Sequence, residues 1–202
     1  MPLSISVRKE LIKNLQNYEG NFNHLYLDTK GKVTIGVGHL VANKKSVSNI
    51  KLYKVANNIP TQQATLPEKY TEYSNLLKQP FGQRYGAIFY KKHTTLIMKD
   101  LDINSLLKKH IDSFYKELVK IYKKSNGYTD DFNNMHKNVQ LALFDLIFNL
   151  GAKKLTTTFP NFTAALKKGD WKKAAPETNR PDVSPQRNKY VRQLLYTTPQ
   201  KP

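Results

Sequence analysis

Two carboxylates and a hydroxyl near the N-terminus have the types and spacing for acid–base work on a glycosidic bond. Glu19 closes an amphipathic stretch, Asp28 follows nine positions later, and Thr34 six after that. Glycoside cleavage needs a proton donor at the leaving oxygen and an anion near the oxocarbenium ion that develops. Glu19 suits the donor. It stands at a helix end with Tyr18, Tyr26 and Phe148 as expected neighbours, surroundings that favour a protonated carboxyl. Asp28 opens the polar turn Asp28-Thr29-Lys30-Gly31 and is expected to stay ionised. Thr34, on the returning strand, is suited to hold a water between the carboxylates. Gly36 and Gly38 take side chains off one face, which lets an extended polymer lie against the backbone. Singly, each residue has a commoner explanation: a Glu at a helix end is usually solvated, and an Asp before Thr-Lys-Gly usually forms a turn.

These residues need a helix, a hairpin and a supporting core. Val7, Leu11, Ile12, Leu15 and Tyr18 recur at helical spacing, and Glu19-Gly20 is the exit. Leu25 to Leu40 reads as a hairpin around the Asp28–Gly31 turn. Asn43 to Thr94, interrupted by Pro60, Pro67, Pro80, Gly82 and Gly86, reads as irregular with one short helix near residues 67–78. Thr95 to Lys124 predicts a long helix, Leu96, Leu101, Leu107, Ile111 and Leu118 facing inward, with a break near residues 102–105. Val139 to Leu150 is apolar nearly all round and predicts a buried central helix ended by Gly151. Two further helices are expected over 159–168 and 170–175. A last one opens at Ser184-Pro185, Ser184 as N-cap, and the tail from Thr197 is expected to be loose.

Length and composition set the outer bounds. The chain's 202 residues, with 12 Tyr, 9 Phe and 1 Trp, suffice for one well-buried core or two small lobes sharing a helix. Lys and Arg outnumber Asp and Glu by 33 to 15, a net charge of +18, which implies a polyanionic partner or surface. The lysines are spread along the chain rather than gathered in one arm, which disfavours nucleic acid. With no cysteine, disulfides and thiolate metal sites are excluded, and the five histidines show no ligand spacing, so neither metal nor cofactor is expected. No apolar run reaches the roughly 20 residues of a membrane span, and the N-terminus lacks a signal-peptide core. The expectation is a chain made in the cytoplasm and delivered to its substrate by another system.

The segment Glu19, Asp28, Thr34, then Ile35-Gly36-Val37-Gly38-His39-Leu40, resembles the phage T4-type lysozyme family, which carries a catalytic Glu, Asp and Thr at this spacing before Ile-Gly-x-Gly-His-Leu. The resemblance returns at Phe148-Asn149-Leu150-Gly151, at Phe159 followed by Trp171 and two alanines, and at Ser184-Pro185-Gln186-Arg187. It does not cover about 42–93 and 108–137. Residues 180–191 are also similar to lysozyme-like domains of type VI secretion effectors, whose broad fold pesticin-like toxins share.

The resemblance implies an α+β, mostly α, lysozyme-like fold: one domain over 1–202, whose small lobe with a β-hairpin (about 12–95) is joined by a long helix to a helical C-terminal lobe (about 96–196), on which the first helix packs. It implies Glu19 as general acid, Asp28 as second carboxylate and Thr34 as placing the attacking water in an inverting reaction. Arg187 would hold the catalytic Glu, and His39 would pair structurally with Asp100. Gly36, Gly38, Leu40 and Phe148 would contact or shape the substrate, while Phe162 and Glu177 depart from the family's sugar contacts. The implied activity is an N-acetylmuramidase acting on peptidoglycan glycan strands, as a monomer without nucleic acid or membrane insertion. It would serve as an endolysin or a delivered effector, the latter met by an immunity protein or a secretion carrier. The alternatives are a basic nucleic-acid-binding protein and a wall-binding module without catalysis.

Overall fold

Residues 3–57 and 59–200 are described by the computed structural model of the chain. The fold is mostly helical, with two small antiparallel sheets. It divides into two compact units: Leu15–Lys109, and Met1–Asn14 with His110–Pro202. The chain passes from one to the other inside two helices, α1 (Ile5–Glu19) and α3 (Asp100–Ile121).

In the first unit, the end of α1 leads into β1 (Phe22–Leu27), β2 (Val33–Gly36) and β3 (His39–Leu40), a sheet in that order. Gly20 stops the helix. At φ 76° it takes the left-handed conformation that closes helix C-termini, and a side chain there would run into the Phe22 ring. β1 and β2 pair with Tyr26 opposite Thr34 and Leu27 opposite Val33. Their inward residues, Leu25, Leu27, Val33 and Ile35, are fully buried.

The stretch expected to be irregular contains a second sheet. β4 (Tyr53–Ala56) pairs with β5 (Ile59–Gln63) and with β6 (Leu96–Ile97), and α2 (Leu66–Leu76) follows β5. The hairpin escaped sequence reading because its strands are short, mostly exposed, and interrupted by Pro60, leaving almost no alternation to detect. The capping box that starts α2, Thr65 with Glu68, was readable. β6 also corrects the expected long helix. Leu96 and Ile97 are spent on strand pairing, so α3 begins at Asp100, runs unbroken to Ile121, and leaves Leu101 80% exposed.

In the second unit, α4 (Lys137–Thr157) has an almost continuous buried run from Val139 to Ile147 and turns sharply at Gly151, φ 73°. α5 (Pro160–Lys167), α6 (Trp171–Ala174) and α7 (Pro185–Tyr196) follow as expected, with Trp171 fully buried. Ser184 caps α7 by accepting from the Arg187 N–H at 3.3 Å. The tail is better tied than expected: Thr198 is buried and its hydroxyl donates to the Leu194 carbonyl. Lys201 and Pro202, also in that expected tail, lie outside the described residues.

Candidate active site

The last residue of α1 lies over the hairpin's far end. A Cβ on Gly38 would meet Oε2 of Glu19 at 3.0 Å, so the bare backbone of Gly38 is the seat of the Glu19 carboxylate. Gly38 itself has φ 65°, a conformation that side chains rarely adopt. Gly36 and Gly38 are expected to clear a face for a polymer. Gly38 also makes room for the acid, and the nearest neighbour of a Cβ on Gly36 would be Ile103, at 3.4 Å.

Asp28 is both a turn former and a candidate anion. Its Oδ1 accepts the Lys30 N–H at 2.9 Å and the Lys32 N–H at 2.8 Å, while its backbone closes the turn with Lys32 and Gly31. These bonds fix the carboxylate's direction and leave Oδ2 outside the turn's own bonding. Both carboxylates are partly exposed, as reagents must be.

Tyr26 ties the two together. Burial pushes its phenol well above the usual tyrosine range, and the charges of Glu19 and Asp28 push it further in the same direction. The ring is 9% exposed and meets Phe22 edge to face at 5.2 Å. At this site the phenol therefore stays protonated, a neutral group within electrostatic reach of two carboxylates. Thr34 is its cross-strand partner, buried, with its hydroxyl donating to the Lys32 carbonyl at 3.2 Å. With that proton engaged, the Thr34 oxygen presents lone pairs, which suits it to accept from a water. Leu40, opposite Thr34 on β3, is 46% exposed.

The other expected site residues divide between the two units. His39 is partly exposed on β3, opposite Ile35. Asp100 is exposed in the first turn of α3; the carboxylate engaged in that turn is Asp102, which binds Lys51 at 3.2 Å and accepts from the Tyr53 hydroxyl at 3.0 Å. Phe148 and Arg187 belong to the second unit. Phe148 packs edge to face on Phe114 and on His110, whose pKa burial lowers. Arg187 is buried and its Nε donates to Asp145 Oδ2 at 2.8 Å, while Arg180 meets the other Asp145 oxygen at 2.8 Å. Asn188 accepts from the Arg180 N–H and returns a hydrogen bond to its carbonyl. Asp145 was not singled out from the sequence. The available signal was a lone acid in the apolar run from Val139 to Leu150, which demands a buried cation.

Among the described residues, no three His, Asp or Glu gather to hold a metal ion, and no helix is long and apolar enough to cross a membrane. No protein-family model matches the chain, and no curated protein matches it.

Proposed function

We propose that the chain is a peptidoglycan hydrolase of lysozyme-like fold, an N-acetylmuramidase that cleaves the β-1,4 bond between N-acetylmuramic acid and N-acetylglucosamine. The observation that carries this reading is the convergence on Tyr26: its phenol feels the charges of both Glu19 and Asp28, and its cross-strand partner is Thr34. A donor, an anion and a water-holding hydroxyl around one buried ring are the parts that glycoside hydrolysis requires.

Glu19 gives its proton to the glycosidic oxygen as the bond from that oxygen to the anomeric carbon breaks. Asp28 faces the positive charge that develops on the sugar. A water accepted by Thr34 adds to the anomeric carbon, and Asp28 takes its proton, so the product sugar has inverted configuration. The role we assign is bacterial lysis, by an effector delivered into a rival cell or by a phage endolysin.

The test is Glu19→Gln, assayed by release of reducing ends from purified sacculi. The substitution keeps the shape and removes the acid. It should lower the rate by about 10²–10⁴-fold with an unchanged melting temperature. Activity retained in this variant rejects the assignment.

A further inference from the structure

We propose that a groove beside the Asp28 turn is a second docking site for the anionic glycan strand. It lies between the β1–β2–β3 hairpin and the end of α2. This deepens the hydrolase reading and rests on it. The groove holds about 370 Å³, within the usual range for small-ligand sites of about 300–1,000 Å³. Gly31, Val33, Val41 and Tyr73 are among the residues lining it, and its large exposed apolar members are Leu40 and Leu77, at 46% and 49%.

Three observations point to this occupant. The groove is continuous with the candidate active site, since Gly31 belongs to the Asp28 turn and Leu40 is the cross-strand neighbour of Thr34. Beyond Leu77, the Phe81 ring covers the turn so closely that a Cβ on Gly31 would stand 3.0 Å from it, yet Phe81 remains 56% exposed. An exposed ring held rigidly beside a groove offers an apolar face for a sugar ring to stack on. The charge also fits. Residues 73–99 contain no Asp or Glu, Lys32 lines the groove, and Lys78 and Arg84 lie next to Leu77 and near Phe81 in the chain. A glycan with pendant peptide carboxylates matches both features, apolar sugar faces for Leu77 and Phe81 and anions for the cations around them.

This segment is held in place rather than free to swing. His24 Nε2 lies 2.9 Å from the Ala87 carbonyl, and the buried Tyr90 donates to the Pro80 carbonyl at 2.9 Å. The docking face is therefore pre-formed, which spares the ordering cost of binding.

The experiment measures binding of Glu19→Gln protein to purified sacculi by co-sedimentation, so that no cutting occurs. In that background, Leu77→Gln/Phe81→Ala should weaken binding about tenfold. Lys78→Glu/Arg84→Glu should weaken it more than Lys153→Glu/Lys154→Glu, an equal charge change on exposed residues of α4. All six positions are exposed, so melting temperatures should hold. Unchanged binding in the apolar pair, or equal losses in the two charge pairs, overturns the proposal. So does loss of single-stranded DNA binding in the apolar pair while sacculus binding persists. If the wild-type chain releases no reducing ends but its sacculus binding depends on the groove, the hydrolase reading fails and the docking site stands.

Discussion

Acidic side chains are handled in opposite ways in the two units. Around Tyr26, Glu19 and Asp28 are partly exposed; Glu19 lies against the bare backbone of Gly38, and Asp28 accepts from two peptide N–H groups. In the second unit, Asp145 is 3% exposed and stands between Arg180 and Arg187, themselves 2% and 4% exposed. A carboxylate meant to meet a substrate must stay reachable. A carboxylate buried in a core must be cancelled, because an isolated buried charge is far too costly. The contrast separates candidate reagents from candidate struts without any knowledge of the reaction.

Crossing the two kinds of readout is the sharpest way to break this contrast. Glu19→Gln should act on rate alone, as set out above. Asp145→Ala should act on stability, because it leaves two guanidinium groups in the core without the carboxylate between them. Removing one partner of a buried ion pair costs about 3–5 kcal/mol, which in a chain of this size lowers the melting temperature by roughly 6–20 °C. Asp145→Asn, which keeps an acceptor but not the charge, should fall between. Thermal unfolding followed by circular dichroism decides it. A mild effect of Asp145→Ala would mean that the triad is not a strut.

Gly38→Ala probes the boundary between the two kinds, since one substitution should register in both readouts. The left-handed backbone at φ 65° costs an alanine about 1–2 kcal/mol. The new methyl would also stand 3.0 Å from Oε2 of Glu19 and displace it. Misplacing a reacting group by about 1 Å can cost roughly 10²-fold in rate. The expected result is a small fall in melting temperature with a large fall in sacculus hydrolysis. A fall in stability alone would show that Glu19 has slack.

The sequence was most legible where one pattern dominated. α4 announced itself because residues 139–147 are apolar nearly all round, and α7 because Ser184-Pro185 is a strong helix start. The hairpin that carries Asp28 and Thr34 was legible from a short polar turn between apolar strands. What escaped was tertiary in origin. β6 is a strand only because Tyr53 and Lys54 pair with it, although its residues suit the helix that follows. The same holds for charge. Lys69 and Glu72 on α2 are charged yet buried, Lys69 donating to the Ile50 carbonyl at 2.6 Å and Glu72 accepting from the backbone N–H groups of Thr95 and Leu96. Periodicity reports which face is apolar; it cannot report which loop will cover the polar one.

The smallest expected effect concerns a third setting, a carboxylate at the surface. Glu68 accepts from the Thr65 N–H at 2.7 Å and hydroxyl at 2.8 Å and pairs with Lys54 at 2.6 Å. The Lys54 ammonium first, then the Thr65 donors, lower its pKa from 4.5 to about 2. The sign follows from that lowering: the folded chain prefers the ionised form more than the unfolded chain does. Glu68 therefore contributes stability above pH 4.5, and the contribution disappears as pH falls toward 2. Because the pair is exposed, water and salt screen it, and the effect should be slight. Urea unfolding between pH 2 and 6 should show a shallower acid limb in Glu68→Gln than in the parent, with the two curves converging at the acid end. Parallel curves would mean that the pair is formed but contributes nothing. That outcome would leave α2 held by its apolar face and by Glu72, the same rule of burial and satisfaction that holds Asp145.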